Sequence, residues 1–187
     1  MSKIYLILGS VRPFRIGEQI APLILDRAFE IGLGDVELID LCDWPLAMND
    51  EPAQPSTGVY VQLSTQRWSD KIAQADGFVF LTPQYNWSYP AALKNALDHL
   101  YKEWHGKPAL IISYGHRGGG RAADHLQQVL LGLRMKPVAL MPTITLDEPM
   151  LGERRLLKDP EINLASFFAG ITEGLLGLKL ALASSDG

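Results

Sequence analysis

The chain has a single cysteine, Cys42, among its 187 residues. No internal disulfide can form, and a zinc or iron–sulfur centre built from cysteines has too few ligands. Charge of one sign is also scarce. Seventeen Lys and Arg against 21 Asp and Glu leave a formal −4, which gives no global field to draw in nucleic acid or an anionic membrane. Any anion site must therefore be local. No apolar run approaches the roughly 20 residues expected of a bilayer span. The opening "MSKIYLILGSVRP" runs from a short apolar stretch straight into a charged loop with no cleavage site, which points to the cytoplasm. Internal repeats and low-complexity tracts are absent.

Several catalytic signatures are missing too. There is no G-x-x-x-x-G-K-[ST] phosphate loop, and the first apolar run is not followed by G-x-G-x-x-G, so neither P-loop nucleotide hydrolysis nor a standard dinucleotide site is expected. His99 and His105 lack the spacing of two ligands on one helical face, and H-E-x-x-H does not occur, so no metal is expected. A G-x-S-x-G nucleophile elbow is likewise absent. Cys42 reads as a small apolar filler.

What the chain does have is hydrophobic content of 47% with 9% aromatics, enough for one substantial core, and a length that suits one domain over residues 1–187. Five short apolar runs, "KIYLIL", "VELIDL", "GFVFLT", "PALIIS" and "PVALMP", read as strands at 3–8, 36–41, 77–82, 108–113 and 137–142. Three are apolar at nearly every position, as a sheet covered on both faces requires. Segments of helical period follow at about 16–31, 61–74, 90–104, 121–133 and 161–182. Alternation of this kind predicts a doubly wound α/β domain with a parallel sheet, because parallel strands need right-handed crossovers. The stretch 43–58 carries four prolines and reads as an extended surface loop.

In such sheets ligands bind beyond the carboxyl ends of the strands, where the winding reverses. With strand order 2-1-3-4-5, three loops meet there: "GSVRPFRIG", "PQYNWSYPAALKN" and "SYGHRGGGR". The first offers the Ser10 hydroxyl, the Arg12 and Arg15 guanidinium forks and the free N–H groups at the start of a helix from Ile16, which suit a phosphate monoester. The alternative is a Ser10 helix cap beside two solvated arginines. The second offers Pro83 as a stiff exit, Gln84 and Asn86 as amides and Tyr85, Trp87 and Tyr89 as flat surfaces, for a polar heterocycle or for a dimer contact. Following Pro90, the stripe Ala91, Leu93, Ala96, Leu97, Leu100 and Tyr101 is expected to belong to the core. In the third loop Gly115, Gly118, Gly119 and Gly120 let backbone approach a ligand, with Tyr114 before them and His116 as a further contact. Asp40, at the end of the second strand, reads as a solvated acid once the dinucleotide glycines are missing.

Three segments carry a family resemblance. "LGSVRPFRIGEQIA", "PQYNWSYPAALKNALD" and "SYGHRGGGRAADHL" resemble the phosphate loop, the P-x-Y-N-x-S-x-P-A-x-L-K-N-A-[IL]-D segment and the G-x-x-G-G-x-R-A segment of the NAD(P)H-dependent FMN reductases, which include quinone, azo and chromate reductases. The match runs over about 3–142. It implies a flavodoxin-like three-layer sandwich with FMN phosphate at Ser10, Arg12, Arg15, Ile16 and Gly17, and the flavin ring flanked by Pro83, Gln84, Tyr85 and Asn86 and by Tyr114, Gly115, Gly118 and Gly119. It also implies NADPH or NADH as reductant, a quinone-like or other small-molecule electron acceptor served in turn on one ring face, and a homodimer or homotetramer. A flavin-binding electron carrier or redox-sensing module shares these features and is the alternative.

Overall fold

The computed structural model describes residues 2–48 and 51–184. Its first four strands are β1 (Lys3–Leu8), β2 (Asp35–Asp40), β3 (Gly77–Pro83) and β4 (Pro108–Gly115). Two short strands, β5 (Lys136–Pro137) and β6 (Thr143–Thr145), complete the sheet. The order is β2-β1-β3-β4-β5, with β6 also paired to β4 and every pairing parallel. The helices are α1 (Gly17–Glu30), α2 (Leu63–Ala73), α3 (Ala91–Asp98), α4 (Gly120–Gly132), α5 (Pro160–Leu164) and α6 (Phe168–Ala183). This is the expected flavodoxin-like α/β sandwich.

Side-chain alternation divides the core into two layers. Ile4, Leu6, Leu8, Val79, Leu81, Leu110 and Ile112 point to one face, where Ile20 and Ile24 of α1 and Ile171, Leu175 and Leu178 of α6 cover them. Tyr5, Ile7, Phe78, Phe80, Ala109 and Ile111 point to the other, under Trp68 and Ile72 of α2, Leu93 and Leu97 of α3 and Leu126 and Leu130 of α4. Because both faces are covered there, β1, β3 and β4 are buried along nearly their whole length, whereas the edge strand β2 keeps Asp35, Glu37 and Asp40. Two fully buried indoles are satisfied locally, Trp68 Nε1 donating to Ala96 O at 2.9 Å and Trp104 Nε1 to Leu97 O at 3.2 Å.

Four expectations need correction. The fifth strand is two pieces. From Pro137 to Thr143 the chain advances six residues while β4 advances four from Ala109 to Ser113, so two residues loop out between the pairings. Prolines at both 137 and 142 lack the N–H that an unbroken ladder would use. The predicted helix at 90–104 ends as α3 at Asp98, with a separate tight turn at Lys102–Trp104. The last helix is divided into α5, a turn at Ala165–Phe167 and α6. That segment also overturns the absence of a long apolar run: Pro160–Ala183, 24 residues containing an 18-residue window with a mean hydropathy of 1.4, is by length and composition long and apolar enough to cross a bilayer. Its stripe Ile171, Leu175, Leu178 and Leu182 packs into the sheet, and Leu176 and Leu180 face outward. The proline-rich loop contains turns at Leu41–Asp43 and Pro55–Thr57, and its residues 49 and 50 lie outside those described.

Candidate functional site

The ends of β1, β3 and β4 open into a cleft of about 500 Å³ lined by Arg12 to Ile16, Pro83 to Tyr85, Tyr114 to His116, Leu146, Leu151, Arg154 and Arg155. No Asp or Glu lines it.

Its first wall is the turn from β1 into α1. Ser10 is fully buried, and its Oγ lies 2.8 Å from the Tyr85 hydroxyl and accepts from Arg12 N at 3.3 Å. The hydroxyl is thus taken up in joining two loops and lies beneath the cleft, and it does not cap α1. No side chain does, and among the described residues the N–H groups of Ile16 and Gly17 donate to no backbone carbonyl. Ile16 N–H is an open donor of the helix start, while Gly17 N–H faces the Tyr114 hydroxyl. Gly17 has no room for a side chain: a Cβ there would sit 2.4 Å from Leu8 Cδ1 and 2.9 Å from the Tyr114 hydroxyl.

The two arginines of this turn part company. Arg12 places its guanidinium over the Tyr85 ring, 4.9 Å from the centroid, and has no carboxylate partner among the described residues. Arg15 is buried and engaged elsewhere. Its Nη2 bonds Asp40 and sits 2.9 Å from Glu18 Oε1, and its Nη1 donates to Cys42 Sγ at 2.8 Å. Burial alone would lower its pKa, but Asp40, Cys42 and Glu18 outweigh that and raise it. The fork expected to face an anion therefore faces two acids, with only the buried Nε left without a partner. Asp40 is correspondingly a paired acid. Cys42 is exposed and accepts a hydrogen bond, contrary to the apolar filler expected.

The second wall is a two-residue turn after β3. Tyr85 N donates to Ser88 O at 2.7 Å and Ser88 N to Tyr85 O at 3.0 Å, with φ of 46° at Asn86 and 73° at Trp87. Positive φ at both central positions is a type I′ geometry, in which asparagine is at home and tryptophan is strained. Asn86 consequently sits at the exposed tip and does not line the cleft. Trp87 lies under the Arg121 guanidinium. Gln84 N donates to Tyr114 O at 2.9 Å, which ties this wall to β4, while its buried Oε1 has no partner.

The third wall is the glycine turn. Gly118 and Gly119 have φ of 75° and 85°, and a Cβ on Gly119 would lie 2.9 Å from Tyr114 N and 3.0 Å from Ser113 Oγ. Both glycines are required to fold the loop back on β4 before α4 starts, and neither lines the cleft. Gly115 and Tyr114 do. Burial pushes the Tyr114 phenol well above the ordinary tyrosine range, and Tyr85 adds to the shift.

A fourth element was not anticipated. After β6, residues 146–158 cross the cleft as a strap, pinned by a Leu151–Leu157 bridge and by reciprocal bonds to α1, Gln19 Nε2 to Leu157 O at 3.0 Å and Leu157 N to Gln19 Oε1 at 2.8 Å. It brings Arg154 over the Phe14 ring, 4.3 Å from the centroid. Arg155 forks onto Glu148 at 2.7 and 3.2 Å and reaches His116 Nε2 at 3.1 Å. Because His116 Nδ1 lies 3.0 Å from Leu146 O, the two contacts together specify the Nδ1–H tautomer. The available signal was positional: "EPMLGERRLLKD" follows the fifth strand, and its loop must leave from the same edge of the sheet as the other three.

A parallel sheet that opens an arginine-bearing turn, an aromatic wall and a glycine turn at its switch point defines a flavodoxin-like, mononucleotide-binding class of protein. A flavoenzyme NAD(P)H:(acceptor) oxidoreductase from Paracoccus denitrificans shares the fold, with a TM-score of 0.71 at 22% identity over 96% of this chain and 98% of that one. Residues 2–143 match the family model described as NADPH-dependent FMN reductase. A NAD(P)H-dependent FMN reductase of Schizosaccharomyces pombe is 53% identical over 146 residues, 77% of this chain and 73% of the relative. A quinone reductase of Escherichia coli is 35% identical over 136 residues, 68% of each. The chain belongs to the NADPH-dependent FMN reductase family.

Proposed function

We propose that the chain is an FMN-dependent NAD(P)H oxidoreductase that passes electrons to a quinone-like or other small acceptor by a ping-pong mechanism. Family membership supports the oxidoreductase class, FMN and a reduced nicotinamide. The observation that carries the reading for this chain is the cleft, which gathers the start of α1, the Arg12 guanidinium stacked on the Tyr85 ring, Gln84 and the Tyr114–Gly115 turn around one space.

The residues fit FMN. The cleft volume falls in the range of small-molecule sites, carboxylates are excluded from its lining, and buried polar atoms, Gln84 Oε1 and Arg15 Nε, lack partners within the protein. Arg12 and the N–H groups of Ile16 and Gly17 would hold the phosphate, with Ser10 fixing Tyr85 beneath it. Gln84, Tyr85 and Gly115 would border the ring. When bound, FMN supplies the redox chemistry, taking a hydride from the nicotinamide and returning electrons to the acceptor. The protein's part would be binding, orientation and field, with Arg12 and the start of α1 placed to oppose the cofactor's negative charge. Hydride transfer needs no protein acid or base, and His116, committed to Leu146 O and Arg155, is not poised as one. Residues 1–187 would act as one domain in the cytoplasm, as a dimer or tetramer.

The visible spectrum of the purified protein, read with release of the chromophore, tests the cofactor. A flavin spectrum and release of FMN are expected. No flavin, even after incubation with excess FMN, contradicts the reading. Steady NAD(P)H oxidation with a quinone then separates a reductase from an electron carrier.

A further inference from the structure

The charges around the cleft do not fall where the phosphate turn alone would put them. Four arginines line it: Arg12, Arg15, Arg154 and Arg155. Arg15 is neutralised by Asp40 and Glu18, and Arg155 by Glu148. Arg12 and Arg154 are the two cleft-lining guanidinium groups with no carboxylate partner among the described residues. Each is held over an aromatic ring, Arg12 on Tyr85 and Arg154 on Phe14, and Phe14 belongs to the same turn that presents the open Ile16 N–H at the start of α1.

From this geometry we infer that Arg154 is the second cation of the phosphate-monoester site, standing in charge where Arg15 was expected to stand. The inference rests on the flavin reading above. A phosphate monoester carries about −1.5 to −2 charge near neutral pH, which two uncompensated guanidinium groups balance. Arginine suits the role because its planar fork can stack on a ring and still bond phosphate oxygens. The strap is fixed well enough to aim it. Leu151 and Leu157 are buried, Gln19 bonds both the N–H and the C=O of Leu157, and the strap turns through Arg154 and Arg155 with φ of 54° and 60°. Residues 146–158 lie beyond the residues that match the family model, so the matched residues do not supply this cation.

A phosphate monoester could come from two sources here, the 5′-phosphate of FMN or the 2′-phosphate of NADPH. Placement over Phe14, inside the phosphate turn, favours the first.

The test uses FMN-stripped full-length protein and compares wild type, Arg154→Gln and Arg154→Lys, titrated separately with FMN and with riboflavin and read by quenching of flavin fluorescence. Thermal melts establish that each variant is folded. The expected result is FMN binding weakened roughly 10- to 100-fold in Arg154→Gln, the range of a hydrogen bond to a charged group, with riboflavin binding unchanged and the lysine variant intermediate. If FMN binding holds but the KM for NADPH rises while that for NADH does not, the phosphate-monoester role stands and the source is the nicotinamide nucleotide. Unchanged FMN, riboflavin and NADPH values in Arg154→Gln overturn the inference, as does equal loss of FMN and riboflavin. Wild-type protein that binds neither flavin overturns the flavin reading beneath it.

Discussion

Arg15 and Arg12 look equivalent in the sequence and differ in the fold because of one neighbour. Asp40 pairs in register with Leu8 where β1 ends, so an acid stands beside the first turn as soon as β2 lies next to β1. The adjacency was already implied by the order 2-1-3-4-5, but spacing along the chain does not weigh one arginine's partners against another's. Arg12→Ala is expected to weaken FMN binding by about 1.5–3 kcal/mol, the range for a bond to a charged group, with little loss of fold stability. Arg15→Ala should do the reverse, lowering denaturant stability by about 1–3 kcal/mol by stranding Asp40, with a smaller effect on FMN. Equal effects of the two changes on FMN affinity would show that Arg15 turns toward the ligand. Gly17→Ala is expected to cost about 1–3 kcal/mol of stability, because its Cβ would overlap Leu8 and Tyr114.

Among the elements, β1, β3 and β4 were legible because burial on both faces leaves them apolar at nearly every position. The broken fifth strand was not, since the reason for the break is a loop between two pairings with β4, a tertiary feature. The glycine turn was legible as a shaped turn, but its cause is the left-handed backbone at Gly118 and Gly119 and their packing on Ser113 and Tyr114. Gly119→Val should therefore destabilise the fold as well as the site, which a melt of the flavin-free variant measures. Lys107 offers a pH signature. Its Nζ caps the end of α2, donating to Ile72 O at 2.8 Å and Ala73 O at 3.2 Å, and burial lowers its pKa to about 8 despite Asp76 and Glu103. Between about pH 8 and the ordinary lysine value of 10.5 the unfolded chain binds the extra proton, so stability from this group rises with pH across that window and is penalised below it. The melting temperature of wild type relative to Lys107→Met should accordingly climb from pH 8 to 10.5. A flat difference would show that the ammonium is fully solvated.

For the whole molecule, the place of the candidate cleft was legible and its full boundary was not. Doubly wound topology put the ligand at the carboxyl ends of β1, β3 and β4, and the cleft lies there. The strap escaped notice because its loop has no motif, only a position. The exposed Trp87 in its strained turn motivates a homo-oligomer with the loops after β3 and β4 near the contact. Light scattering should give a particle of at least twice 20.7 kDa, and a monomer at every working concentration would reject it. The central claim is that one cleft accepts reducing equivalents from a nicotinamide and releases them to a second substrate in a separate step. Its most direct measurement is an anaerobic two-stage mix of the FMN-loaded protein, first with NADPH or NADH and then, after the nucleotide is removed, with a quinone, following the flavin absorbance. The account predicts bleaching in the first stage with no quinone present and full recovery in the second. Bleaching that occurs only when both substrates are present together would contradict it.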